Sequence, residues 1–94
     1  MRVLLAEDDE FLASGISIAL TDSGYAIDEV RTGDEAYTAI SNTTYDLVIL
    51  DLGLPTLDGL EVLVRVRAKG LTLPILIITA RDDMRDRVTG LDAA

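Results

Sequence analysis

The run Leu47-Val48-Ile49-Leu50, closed by Asp51, constrains this chain most. Four consecutive aliphatic residues bounded by polar ones read as a strand buried on both faces. A carboxylate at the end of such a strand has left the core. The residues that follow, Leu52-Gly53-Leu54-Pro55-Thr56-Leu57-Asp58-Gly59, form a loop punctuated by Gly and Pro. Asp51 therefore stands at a strand-to-loop junction, where open α/β sheets place their ligands. Val3-Leu4-Leu5-Ala6 followed by Glu7-Asp8-Asp9-Glu10 repeats the design. Two buried strands ending in carboxylates point to one acidic pocket. Taken alone, Asp51 fits the opening of a turn equally well.

The 94 residues suit one small domain. Hydrophobic residues make up 49% and mean hydropathy is +0.31, but only 4% are aromatic, so aliphatic side chains must fill the core. With no cysteine, disulfides and thiolate metal sites are excluded. With no histidine, the usual base, the usual zinc ligand and a histidine pH switch are excluded too. The apolar runs are too short to span a bilayer, and Met1-Arg2 leads straight into a strand-like run, so the expectation is a soluble cytoplasmic protein. The net charge of −9 is uneven: residues 1–60 carry 12 acidic and 2 basic side chains, residues 61–94 carry 5 and 6. The acidic first part argues against direct binding to nucleic acid phosphates. It suits a cation site, and equally a solvated surface.

Along the chain, residues 2–6 read as a strand. A helix follows with Leu12, Ile16, Ala19 and Leu20 on one face, Asp8 or Asp9 at its start and Gly24 at its stop. Gly15 lies inside it, where glycine costs up to about 1 kcal/mol relative to alanine unless it serves close packing. Tyr25–Val30, polar at Asp28-Glu29, reads as an edge or near-edge strand. Thr32-Gly33-Asp34-Glu35 has capping-box spacing and opens a helix that buries Ala36, Ala39 and Ile40. Ser41–Tyr45 is a polar connection to the central strand, Asp46–Asp51. Asp58 caps the next helix, which carries Gly59, Val62, Leu63 and Val66 on one face and ends at Lys69-Gly70. Pro74–Ala80 reads as another doubly buried strand, with proline at its first position. Asp82–Ala94 reads as a helix with Met84, Val88 and Leu91 inward. The order β-α-β-α-β-α-β-α with short connections predicts a parallel sheet covered on both faces.

Four groups of residues, in order and on these elements, resemble the receiver domain of bacterial two-component response regulators, the CheY-like family. They are Glu7-Asp8-Asp9 after strand one, Asp51 after strand three, Leu54-Pro55 with Asp58-Gly59 in the next loop, and Thr79-Ala80-Arg81 after strand four. Leu50–Pro55 and Ile78–Asp82 are most similar to receivers that precede a winged-helix DNA-binding domain. The resemblance implies an α/β, flavodoxin-like doubly wound parallel sheet in the order 2-1-3-4-5.

In that order strands one and three are neighbours, so Glu7, Asp8 and Asp51 converge. Three adjacent carboxylates repel unless protons or a cation join them. Hard oxygen ligands favour Mg²⁺, with Mn²⁺ possible. A carboxylate can attack phosphorus to give an acyl phosphate. The resemblance assigns Asp51 as phosphoryl acceptor and Asp8 as a direct metal ligand. It makes Glu7 an outer ligand through water and the Gly53 carbonyl a further ligand. Thr79 is then the hydroxyl that bonds a phosphoryl oxygen and reorients on phosphorylation. Asp9 fits a helix cap better than a ligand, and Arg81 fits a partner contact or a solvated position.

The chain departs from the pattern at its end. Five βα units at a spacing of ~23 residues need roughly 115 residues, so a fifth strand and helix are expected to be absent and residues 1–94 to be an incomplete receiver. The family's phosphate-binding lysine belongs on strand five, and Lys69, the single lysine, lies on another element. The resemblance therefore predicts slow or absent phosphorylation of the isolated chain, and a β4 edge open to pairing or domain swapping. It implies a sensor histidine kinase as donor and a homodimer of the full-length protein, with DNA bound only through an effector domain not present here. An aspartyl phosphohydrolase is the competing enzyme reading. Its usual Asp-x-Asp pair is missing from Asp51-Leu52-Gly53. A receiver-like module working without phosphate is the third reading, and Asp51, Asp8 and Thr79 together weigh against it.

Overall fold

In the computed structural model, which describes residues 1–78, strands and helices alternate: β1 (Arg2–Ala6), α1 (Glu10–Asp22), β2 (Ala26–Val30), α2 (Gly33–Asn42), β3 (Leu47–Asp51), α3 (Gly59–Ala68) and β4 (Ile75–Ile78). The expected helix over 82–94 and the positions of Thr79 and Ala80 lie outside the described residues. The strands pair in parallel in the order β2-β1-β3-β4, which places β2 at the edge, as its polar centre requires. Val3 lies opposite Ile27 and Leu47, and Asp51 opposite Ile78.

This order fixes which helix covers which face. The step from β1 to β2 runs one way across the sheet, and the steps to β3 and β4 run the other. Crossovers of one hand then send α1 to one face and α2 and α3 to the other. On the first face Val3, Leu5 and Ile49 pack with Ala13, Ile16 and Leu20 of α1. On the second, Leu4, Ala6, Val48, Leu50, Ile75 and Ile77 pack with Ala36 and Ile40 of α2 and Val62, Leu63 and Val66 of α3. The central strand β3 feeds both cores, which is why its sequence shows no alternation.

Local signals set the helix ends. The Asp9 carboxylate accepts from the N–H groups of Phe11 and Leu12, so Asp9 and not Asp8 caps α1. Gly24 then leaves α1 with φ +95. Thr32 and Glu35 form the full capping box of α2. Asp58 caps α3 through Glu61 N–H, and Gly70 follows its C-cap with φ +82.

Four expectations need correction. Ala13, not Ala19, completes the buried stripe of α1: spacing from Leu12 and Ile16 allowed either, and rotation onto the sheet turns Ala19 to solvent. Gly15 serves no close packing, because a Cβ there would meet nothing within 4 Å. Among the described residues β4 is not buried on both faces: Leu76 is 46% exposed, while Ile78 on the same face packs against the α1-side cluster. Ser41 and Asn42 belong to α2 rather than to the connection after it. No described helix is long and apolar enough to cross a membrane.

Candidate functional site

The chain reverses its direction across the sheet between β1 and β3, and there the carboxyl ends of two adjacent strands open a crevice. Ala6 lies opposite Leu50, so the next residues out, Glu7 and Asp51, leave the sheet side by side. Glu7, Asp8 and Asp51 each place a carboxylate oxygen within 4.8 Å of the others. Glu7 and Asp51 are buried and Asp8 is exposed. The pocket is thus dry at its floor and open on one side.

Backbone groups orient two of the acids. Glu7 Oε2 accepts from the Asp9 N–H at 3.0 Å, and Asp51 Oδ1 accepts from the Gly53 N–H at 3.2 Å. Glu7 Oε1 is buried with no hydrogen-bond partner. Burial pushes the Glu7 carboxyl up to about 7, against the Asp9 N–H bond, with the neighbouring Asp51 and Asp8 carboxylates adding to the rise. A group so placed takes a proton or a cation near neutral pH.

The loop after β3 is folded back tightly. The Gly59 N–H donates to the Leu52 carbonyl at 3.1 Å. A Cβ on Gly59 would stand 2.1 Å from the Asp51 carbonyl oxygen, so only glycine lets α3 begin this close to the acid. Lys69 sits at the far end of α3, bonded to Ser41 Oγ at 3.1 Å and stacked over the Tyr37 ring. It has no part in the pocket.

Of the residues expected at the site, Glu7, Asp8 and Asp51 are brought together and Gly53 lies beside Asp51. Thr79 follows Ile78, the residue opposite Asp51, and itself falls outside the described residues. Sequence reasoning passed over Gly33: it lies in a capping box, whose pattern signals a helix start and nothing about a neighbouring loop. It also missed Tyr45, whose buried ring donates its hydroxyl to Asp28 at 2.7 Å.

Residues 3–94 match the response regulator receiver domain. The chain belongs to that family. Among curated relatives of this receiver, the transcriptional regulatory protein BasR of Escherichia coli is 48% identical over 98% of the chain and 41% of its own length. PmrA of Pectobacterium parmentieri is 50% identical over 98% of the chain and 41% of its own length. The receiver thus spans about two fifths of these regulators. Among solved structures, the response regulator TrrA of Thermotoga maritima in complex with Mg²⁺-BeF superposes with a TM-score of 0.86 at 33% identity. That match covers 99% of the receiver and 80% of TrrA.

Proposed function

We propose that this receiver accepts a phosphoryl group on Asp51 and passes the change to a partner. The meeting of Glu7, Asp8 and Asp51 at the switch point carries the reading. The donor set is carboxylate oxygen with neither histidine nor cysteine, which suits Mg²⁺ or Mn²⁺. The unpartnered, buried Glu7 Oε1 fits the same ion, because a buried acceptor without a donor is relieved by a cation or by water bound to one. Asp8 and Asp51 would hold the ion directly, the Gly53 carbonyl would complete the protein's share, and Glu7 would act through water. When bound, the ion offsets negative charge on the phosphoryl group and the attacking carboxylate.

The protein's own part is positional. The Gly53 N–H fixes the rotation of the Asp51 carboxylate. An Asp51 oxygen forms the new bond to phosphorus. The bond between phosphorus and the imidazole nitrogen of a sensor kinase's phosphohistidine breaks, and that nitrogen keeps the electron pair until it takes a proton. Thr79, next after the residue opposite Asp51, is assigned the hydrogen bond to a phosphoryl oxygen. The domain assists its own phosphorylation and hydrolysis and is a switch rather than a turnover enzyme. In the full-length protein, a cytoplasmic regulator, the output is homodimerisation and DNA binding through an effector domain outside residues 1–94. The relatives' names, as transcriptional regulatory proteins, support that output.

Calorimetric titration with Mg²⁺ tests the reading. One site that disappears in Asp51→Asn is expected. Undiminished binding in Asp51→Asn overturns it.

A further inference from the structure

The loop that carries Gly53 ends on the first turn of α2. The first N–H groups of a helix have no partner within it and must find one outside. In α2 the third, Glu35 N–H, goes to Thr32 Oγ1 at 3.1 Å, as a capping box requires. The first two go elsewhere. Gly33 N–H donates to the Pro55 carbonyl at 3.1 Å, and Asp34 N–H reaches Thr56 Oγ1 at 3.5 Å. The acceptor loop is therefore half of the α2 cap.

The loop is strained where it meets the helix. Thr56 has φ +67, and Leu57 N–H donates back to the Pro55 carbonyl at 2.8 Å. That pair defines a γ-turn of the rare hand, which a β-branched residue adopts only when its surroundings hold it there. The Pro55 carbonyl takes both the Leu57 and the Gly33 N–H, so α2 pins the strained turn directly. Space is equally tight: a Cβ on Gly33 would stand 1.6 Å from the Leu57 carbonyl oxygen and 2.5 Å from its carbon, backbone atoms that a flexible side chain cannot yield for.

We propose that Gly33 is a positioning residue for the acidic site. It seats the Pro55–Leu57 turn against α2 and thereby fixes where the Gly53 carbonyl stands beside Asp51. The loop is clamped at three points: Gly53 N–H on Asp51 Oδ1, Gly59 N–H on the Leu52 carbonyl, and Gly33 N–H on the Pro55 carbonyl. The first lies within the loop itself, and the other two come from α3 and α2, elements that contribute no acid to the pocket. α2 is thereby coupled to the metal site through the Gly33–Pro55 hydrogen bond and the backbone of the loop. This rests on the reading of Gly53 as a cation ligand.

Amide NMR of the protein titrated with Mg²⁺ tests it without a variant. The expected result is that the Gly33 and Thr56 amides shift along with Gly53 and Asp9 at one common midpoint. Shifts at Asp9 and Gly53 with Gly33 and Thr56 unmoved overturn the coupling and leave the metal site standing. No shift at Asp9 or Gly53 overturns the metal site and the coupling with it. Gly33→Ala adds a second measurement, with Gly15→Ala as the helix control. Gly33→Ala is expected to weaken Mg²⁺ binding about tenfold or more, the usual effect of disturbing the supports of a ligand. Gly15→Ala is expected to leave affinity unchanged. A folded Gly33→Ala protein with undiminished affinity also overturns the coupling.

Discussion

Glu7 and Asp51 leave neighbouring strands side by side, both buried, and bring carboxylate oxygens within 4.8 Å of each other. Like charges that close in a dry site oppose folding unless one is neutralised. Burial first, and the neighbouring acids after it, push the Glu7 carboxyl from 4.5 up to about 7.

A pH dependence of unusual sign follows. The folded state binds the Glu7 proton more tightly than the unfolded chain, so this group's contribution is complete below about pH 4.5 and is lost as pH rises through 7. The shift corresponds to a stability change of order 3 kcal/mol. Asp28 and Glu35 have lowered values, and their contributions vary only in the acid range below the ordinary carboxylate pKa. Thermal melts in a chelator are therefore expected to show stability falling from pH 5 to 8, with Glu7→Gln abolishing the slope and Mg²⁺ flattening it. A slope unchanged in Glu7→Gln contradicts the assignment.

A second acid is held down on the edge strand β2. Asp28 accepts the Tyr45 hydroxyl at 2.7 Å and two Arg2 nitrogens at 3.0 and 2.7 Å. The Tyr45 hydrogen bond, then that of Arg2, lowers the Asp28 pKa. Tyr45→Phe is expected to cost about 1–2 kcal/mol in urea denaturation and to raise the Asp28 pKa. An NMR titration in which Asp28 does not move runs against this cause.

Much of this was legible in the sequence, for reasons that differ by residue. Leu47–Asp51 has one physical solution, a strand buried twice over. Thr32, Asp58 and the Asp8-Asp9 pair declared helix starts through local chemistry that needs no tertiary partner, and the structure chose Asp9 of the pair. Ala13 and Ala19 could not be separated, because alanine is small enough for either face of α1. Leu76 misled because apolar residues are written alike whether or not a helix covers them. Gly33 was silent because its constraint comes from Leu57, 24 positions away along the chain, and no local pattern encodes that approach.

The glycines divide by what surrounds them. Gly15 meets nothing within 4 Å, so Gly15→Ala is expected to stabilise α1 by up to about 1 kcal/mol. Gly59→Ala forces a Cβ to 2.1 Å from the Asp51 carbonyl and is expected to lose about 1–3 kcal/mol or more. Equal effects in matched denaturation curves would show that the α3 junction is looser than its geometry.

β4 pairs with β3 along one edge, and Leu76 is exposed. Among the described residues nothing pairs its other edge. Self-association of the 94-residue protein at high concentration is expected, and Leu76→Lys should suppress it, since lysine on an edge strand opposes pairing. Light scattering that reports the same mass for both proteins at every concentration speaks against the edge as the contact.

Phosphoryl transfer to Asp51 is the central claim, and intact-mass measurement after incubation with acetyl phosphate and Mg²⁺, followed by borohydride reduction and peptide mapping, tests it most directly. The expected result is a single phosphoryl adduct confined to Asp51, formed slowly because Lys69 lies far from the pocket, and absent from Asp51→Asn and from samples without divalent cation. An adduct that survives in Asp51→Asn, or one that maps to another residue, contradicts the account.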